Sequence, residues 1–203
     1  MRRNTRARPS SPRRGSLRPA HAGSGSPTGS GTNLLLETVS RSTEETIRLG
    51  REFIHRLEPP CLILLEGELG SGKTTFTKGI VAGLGAAREE DVSSPSFTLV
   101  HEYGPPTAKG SGSPGVSRGL RGAGSPAAES SATGRVYHVD LYRVESPREM
   151  ETLGLEDLFA QPAFIIVEWG EKLAAAPRIP QVRVRFEHAD AEARKITAEY
   201  LGD

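Results

Sequence analysis

The spacing of apolar residues changes period several times along the chain, and the changes divide it into elements. LLLETV, from residue 34, reads as a short strand. SRSTEETIRLGREFIHRL then reads as a helix, with Ile47, Phe53, Ile54 and Leu57 able to share one face. Ser42 followed by Glu45 has the spacing of a capping box. CLILLEG (61–67) is continuously apolar rather than alternating, which predicts a strand buried on both faces near the centre of a parallel sheet. A second helix is expected over about 72–84, with Phe76, Ile80 and Leu84 four apart and Gly85 as its C-terminal cap. Gly79 and Gly83 weaken that helix by about 1 kcal/mol each relative to alanine, so a close approach to the sheet is expected there.

The later elements follow the same logic. FTLVHEY (97–103) and RVYHVDLYRV (135–144) read as strands. SPREMETLG predicts a helix in which Ser146 caps, Pro147 takes the first position and Glu149 completes a second box. LEDLFA is a short helical turn, and AFIIVEW (163–169) is another buried strand. QVRVRFEH (181–188) alternates, with Val182, Val184 and Phe186 on one face, and pairs with ARKITAEYL (193–201) as a terminal hairpin. Helices alternating with strands make the fold class α/β: a mixed, mostly parallel sheet flanked by helices and ending in a β-hairpin.

Two stretches lack any such pattern. Residues 1–32 hold seven arginines, no acid and almost no large apolar side chain, so they cannot offset their ordering entropy and are expected to be disordered. An organelle transit peptide and an RNA-contacting arm are the functional readings, and a dispensable extension from an overextended start site is the one preferred. Residues 104–135 are rich in Gly, Ser, Pro and Ala and read as a tolerated low-complexity insertion at a hairpin tip. Residues 33–203 are therefore expected to be one domain carrying that insertion.

Charge narrows the function. The chain's formal net charge is +1, but with the seven tail arginines set aside 19 basic groups face 25 acidic ones. A body this acidic is a poor general nucleic-acid binder, so any RNA-related role runs through partners or the tail. No apolar run approaches the roughly 18–20 residues of a membrane span. Cys61 is the single cysteine, which fits a reducing compartment and a cytoplasmic location.

The chemistry is concentrated in GELGSGKTTF (67–76). Gly67, Gly72, Lys73 and Thr74 satisfy G-x-x-x-x-G-K-[ST] between a buried strand and a helix, the arrangement that lets a loop cradle polyphosphate. Glycines at 67, 70 and 72 allow backbone N–H groups to turn toward phosphate oxygens. The candidate nucleotide-binding set is Gly70, Ser71, Gly72, Lys73, Thr74 and Thr75. Lys73 would sit between β- and γ-phosphates, the Thr74 hydroxyl would ligate Mg²⁺, and Thr75 would lie near the α-phosphate. A chance glycine-rich turn is the ordinary alternative, and the flanking elements argue against it.

Hydrolysis of ATP needs an acid near the metal. Glu168 ends FIIVE, where a Walker-B acid belongs, and Asp140 ends VYHVD on another strand. Either could hold Mg²⁺ or orient the attacking water, and a structural ion pair is the ordinary alternative for each alone. Two acids at the carboxyl ends of parallel strands favour a site, because ligands bind there in open α/β sheets. The candidate catalytic set is Lys73, Asp140 and Glu168, and the metal pair is Thr74 with Glu168. VSSPSFTLV (92–100) offers Ser93, Ser94, Ser96 and Thr98 where P-loop proteins sense the γ-phosphate, or is a plain turn. Trp169 reads as core packing or as the edge of the site. His101 and His138 read as structural, paired across a hairpin, since no spacing supports zinc.

GELGSGKTTFTKGI, SSPSFTLVHEY, HVDLYRV, LGLEDLF and IIVEWGEKL, in this order, resemble the TsaE family over roughly 34–203 apart from the insertion. The resemblance implies a P-loop ATPase of bacterial tRNA threonylcarbamoyladenosine biosynthesis. It also implies action with TsaB and TsaD, which transfer the threonylcarbamoyl group and meet the tRNA directly. It places Lys73 and Thr74 on phosphate and Mg²⁺, Glu168 on the second metal acid, Asp140 on a residue important for activity, and Trp169 beside the metal acid. Thr43 and Arg194 fall near the adenine. Three departures stand out: Ser96 where the family usually has threonine, the insertion at 104–135, and the arginine-rich tail. The competing readings are a nucleotide-gated interaction protein with negligible turnover and a small-molecule kinase, which would want an arginine-bearing lid; Arg118, Arg121 and Arg135 lie in 104–135, but its glycine-rich sequence shows no ordered lid.

Overall fold

The structure, a computed structural model, describes residues 33–104, 134–173, 177–190 and 192–202. The tail and nearly all of the predicted insertion, with Arg118 and Arg121, lie outside the described residues.

Seven strands form one sheet, in the order β1-β7-β6-β2-β5-β4-β3. They are β1 (Asn33–Ser40), β2 (Cys61–Glu66), β3 (Val100–Tyr103), β4 (Val136–Asp140), β5 (Phe164–Glu168), β6 (Gln181–His188) and β7 (Arg194–Gly202). The central run β6-β2-β5-β4 is parallel. The outer pairs β1–β7, β6–β7 and β3–β4 are antiparallel, and β6–β7 is the expected terminal hairpin. The sheet is the mixed α/β one that the strand and helix patterns predict.

The continuous apolar runs are explained by burial on both faces. Cys61, Ile63 and Leu65 of β2 pack into one core with Val136, Phe164, Ile166, Val182, Val184 and Phe186. Leu62 and Leu64 point the other way, into a second core with Tyr137, Val139, Ile165 and Val167. Period-two alternation within an all-apolar strand thus feeds two cores at once. Burial pushes the Cys61 thiol up to about 12, so it behaves as a small apolar group.

Helices α1 (Thr43–Ile54) and α2 (Lys73–Gly83) cover the first core. Phe76 of α2 is fully buried, with Phe53 of α1 and Phe186 of β6 each 5.5 Å away between ring centroids. Burying one such ring contributes about 1.5–3 kcal/mol. Ser42 caps α1 by accepting from the Glu45 amide at 3.1 Å, and the Glu45 carboxylate accepts from the Arg41 amide at 2.7 Å. The box therefore closes one residue earlier than its usual form. It does the same in α3 (Pro147–Thr152), where Glu149 reaches the Glu145 amide at 2.9 Å. The short helix α4 (Leu155–Phe159) follows, and Leu155 joins the second core. At the end of α2 the Gly85 and Ala86 amides donate back to Ala82 and Val81, both at 3.0 Å. This is the glycine-ended cap expected there.

Three expectations are corrected. The close approach at Gly79 is to α1 and not to the sheet: a methyl there would stand 2.0 Å from the Ile47 carbonyl oxygen. Gly50 is the reciprocal contact, where a methyl would stand 2.3 Å from the Phe76 carbonyl oxygen, so the two helices touch backbone to backbone. The strand expected from Phe97 begins only at Val100, because residues 96–99 form a turn with Leu99 at φ 66° and Phe97 exposed. The strand expected to reach Val144 ends at Asp140, and the chain turns at Tyr142.

Candidate functional site

The loop between β2 and α2 is shaped by its glycines. Gly67, Gly70 and Gly72 have φ of 146°, 77° and 105°. A side chain at Gly67 would also meet the Phe186 carbonyl oxygen at 2.6 Å. Gly72 is the N-cap of α2 and offers no side-chain hydrogen bond. The leading N–H groups of a helix have no intrahelical partner, so they present donors and the positive end of the dipole to the loop. Backbone alone could therefore offer donors to an anion here.

Lys73 lies across this loop. Its side chain is only 4% exposed, and its ammonium donates to the carbonyls of Gly67 (2.6 Å) and Glu68 (2.8 Å). The same ammonium sits 4.2 Å from the centre of the Trp169 ring. Burial holds its pKa below the ordinary lysine value, while the charges of Glu168, Glu171 and Asp140 pull the other way. Phosphate oxygens would replace two neutral carbonyls by charged acceptors. Ser71 is buried and its hydroxyl has no partner among the described residues. Thr75 is half-buried one step beyond Thr74.

Two carboxylates face the loop. Strand parity puts His138, Asp140 and Glu168 on the α2 side, the same side as Val136, Phe164 and Ile166. The parallel register of β4 and β5 places Asp140 directly opposite Glu168. Glu168 is 3% exposed, and its Oε1 accepts from the Thr74 hydroxyl at 2.7 Å and stands 2.9 Å from His138 Nε2. Asp140 is 2% exposed, and its Oδ2 accepts from Ser96 at 2.6 Å and from Ser94, while Oδ1 accepts from the Tyr142 amide at 2.9 Å. The segment 92–100 is thereby tied to β4 by its hydroxyls, and Ser96 keeps the contact without the methyl of threonine.

The edge of the site is aromatic. Trp169 has a left-handed backbone (φ 59°), which turns it out of the sheet onto Lys73 and to within 5.2 Å of the Tyr142 ring. Lys172 then fastens the turn after β4 by donating to the carbonyls of Leu141, Tyr142 and Val144 at 3.1, 2.6 and 3.1 Å. Trp169 is thus less a core residue than a wall of the loop.

Thr74 and Glu168 are the residues that could hold a metal. They present a hydroxyl and a carboxylate already within hydrogen-bond distance, and both are the hard oxygen donors that Mg²⁺ prefers. Among the described residues no three His, Cys, Asp or Glu side chains cluster to hold a metal by themselves. A polyphosphate would supply further oxygens, as is usual for Mg²⁺.

The structure brings Gly70, Ser71, Gly72, Lys73, Thr74 and Thr75 into one loop and helix start, beside Glu168 and Asp140. It does not bring in Arg135. Arg135 stands 3.5 Å from Glu102, in an exposed ion pair remote from the loop in the sheet order. Arg194 donates to the carbonyls of Ala193 and Asp190 at 3.0 and 3.4 Å, and Thr43 is exposed at the start of α1. His101 and His138 do stand opposite in register, but His101 turns to the Tyr103 hydroxyl (3.2 Å) and His138 to Glu168. The sequence signal for the latter contact is two-residue spacing: His138 and Asp140 share a strand face.

The family model for the threonylcarbamoyl adenosine biosynthesis protein TsaE matches residues 40–110 and 127–196. The gap between the two blocks falls within the segment read as an insertion. The chain is 33% identical over 162 residues to the tRNA threonylcarbamoyladenosine biosynthesis protein TsaE of Bacillus subtilis, covering 79% of this chain and 82% of that protein. It is 30% identical over 155 residues to the protein of the same name from Haemophilus influenzae, covering 74% and 80%. The crystal structure of Bacillus subtilis YdiB superposes with a TM-score of 0.56 at 25% identity, over 84% of this chain and 88% of that one.

Proposed function

The chain belongs to the TsaE family of threonylcarbamoyl adenosine biosynthesis proteins, and from that premise we propose that it is a Mg²⁺-dependent ATPase serving tRNA threonylcarbamoyladenosine formation together with TsaB and TsaD. The activity resides in residues 33–203. The single observation that carries the reading is the 2.7 Å hydrogen bond from Thr74 to Glu168, made across the mouth of a loop whose three glycines hold left-handed or otherwise positive φ.

Each residue has a part. The loop amides and Lys73 bind the β- and γ-phosphates, and Lys73 exchanges its carbonyl partners for phosphate oxygens. Thr74 and Glu168 would hold Mg²⁺, which supplies charge neutralisation at the phosphates when bound. Asp140, anchored by Ser94 and Ser96, is the second acid and is placed to sense or orient what lies at the γ-phosphate. Trp169 covers Lys73 and excludes water from one side. The acidic body leaves tRNA to the partners, so the chain meets it indirectly. Among the described residues no helix is long and apolar enough to cross a membrane, and the proposed place of action is the cytoplasm.

The test is a reconstituted modification assay with purified partners. Lys73→Ala and Glu168→Ala are each expected to abolish ATP-dependent support of the modified nucleoside. A normal yield from either variant would overturn the reading.

A further inference from the structure

We propose that His138 is a positioning residue for Glu168: its Nε2–H clamps one carboxylate oxygen and so fixes the acid that, with Thr74, would hold the metal. The inference rests on the nucleotide-site reading above and extends it to a residue that the sequence presents as structural.

The argument starts from the strand face. Val136, Phe164 and Ile166 on this face are apolar and fully or almost fully buried. An apolar residue at 138 would pack there without any polar group to satisfy. The chain instead carries an imidazole with 0% exposure. Register explains what it reaches. His138 stands opposite Ile166, and Asp140 stands opposite Glu168, so His138 and Glu168 are diagonal neighbours on one face. Diagonal neighbours are within reach of long side chains. Nε2 lies 2.9 Å from Glu168 Oε1. An ionised carboxylate only accepts, so the ring hydrogen in this contact belongs to Nε2.

The other ring nitrogen discriminates between a role and mere self-satisfaction. Nδ1 is buried and has no partner among the described residues. Its cross-strand neighbour His101 is engaged with Tyr103 and does not serve it. The ring therefore has one polar contact, and that contact is Glu168. The clamp also has a direction. Thr74 and His138 both address Oε1, one from α2 and one from β4, which leaves Oε2 for another partner. Carboxylates that ligate metals are held in this way by outer hydrogen bonds, and losing such a bond commonly costs 10–100-fold in metal affinity.

The experiment uses the full chain and ADP, read by emission of Trp169, the sole tryptophan, which lies 4.2 Å from Lys73. ADP is titrated in EDTA, then Mg²⁺ is titrated into the ADP complex. His138→Gln and His138→Asn are compared, because the glutamine amide can place an N–H near the Nε2 position and the shorter asparagine amide cannot. His138→Asn is expected to raise the half-saturating Mg²⁺ about 10-fold and to leave affinity in EDTA unchanged. His138→Gln is expected to stay near wild type in both. In the Glu168→Gln background, His138→Asn is expected to add no further loss, the non-additivity of two groups acting on one ligand. Melting temperature is followed for every variant. Equal behaviour of the Asn and Gln variants, unchanged Mg²⁺ dependence in His138→Asn, or additive losses in the double variant would overturn the inference and leave the nucleotide-site reading standing. Absence of any Mg²⁺ effect in the wild-type chain would overturn both.

Discussion

Glu168 and Asp140 end adjacent parallel strands, face the same helix and stand in register, but they are anchored to different kinds of structure. Glu168 is held by Thr74 on α2 and His138 on β4, both within regular elements. Asp140 is held by Ser94 and Ser96 in a segment without strand or helix, and by the amide of Tyr142 in the turn that follows it. The first acid is tied to the framework and the second to loops. Loops open at lower free energy than packed elements. On the proposed function, the difference would separate a fixed acid that holds the metal from a coupled one that reports nucleotide state to a partner.

The largest effect should come from the fixed side. Glu168→Ala is expected to lower partner-stimulated phosphate release by about 100-fold or more, since metal-assisted charge stabilisation is worth several kcal/mol and each 1.36 kcal/mol is tenfold. Steady-state turnover with partners checks it. Asp140→Asn removes the charge that two serine hydroxyls address. A hydrogen bond to a charged group is worth about 1.5–3 kcal/mol, so turnover should fall roughly 10–100-fold, with ADP affinity nearly unchanged. A parallel loss of affinity and turnover would erase the distinction between the two acids.

The next prediction concerns the scaffold beneath the fixed acid. Gly79→Ala would place a methyl 2.0 Å from the Ile47 oxygen and push α2, which carries Thr74, off α1. Overpacking of this kind costs about 1–3 kcal/mol, and the melting temperature should drop accordingly. Proteolysis should show the segment around Ser94 and Ser96 unaffected, if the two halves are anchored independently. Ser42→Ala is the mildest change. Loss of the N-cap should cost about 1 kcal/mol, measured by chemical denaturation, without altering Mg²⁺ dependence.

The contrast between the two acids also marks what was legible in the sequence. The loop, α2 and its glycine-ended cap are written in local punctuation: Gly67, Gly72, Lys73 and Gly85 state their roles within twenty residues of one another. The buried strands were legible from unbroken apolar runs, and both acids from their place at the ends of those runs. What could not be read was the register of β5 against β4. The pairing of Asp140 with Glu168, and hence the reach of His138, depends on where β5 slides along β4, and many registers satisfy an all-apolar run. The turn at Leu99 is hidden in the sequence because Phe97 and Leu99 look like strand residues; a bond from the Leu99 amide to the Pro95 carbonyl and the hold of Ser94 and Ser96 on Asp140 belong to the turn. The helix contact at Gly79 is illegible for a similar reason: a glycine signals close approach without naming what approaches.

The most direct test of the central claim is anomalous scattering from Mn²⁺ in a crystal grown with ADP. The account predicts a single peak within coordination distance of the Thr74 hydroxyl and the Glu168 carboxylate. A peak at Asp140 with its two serines, or Glu168 turned away from the ion, would contradict it.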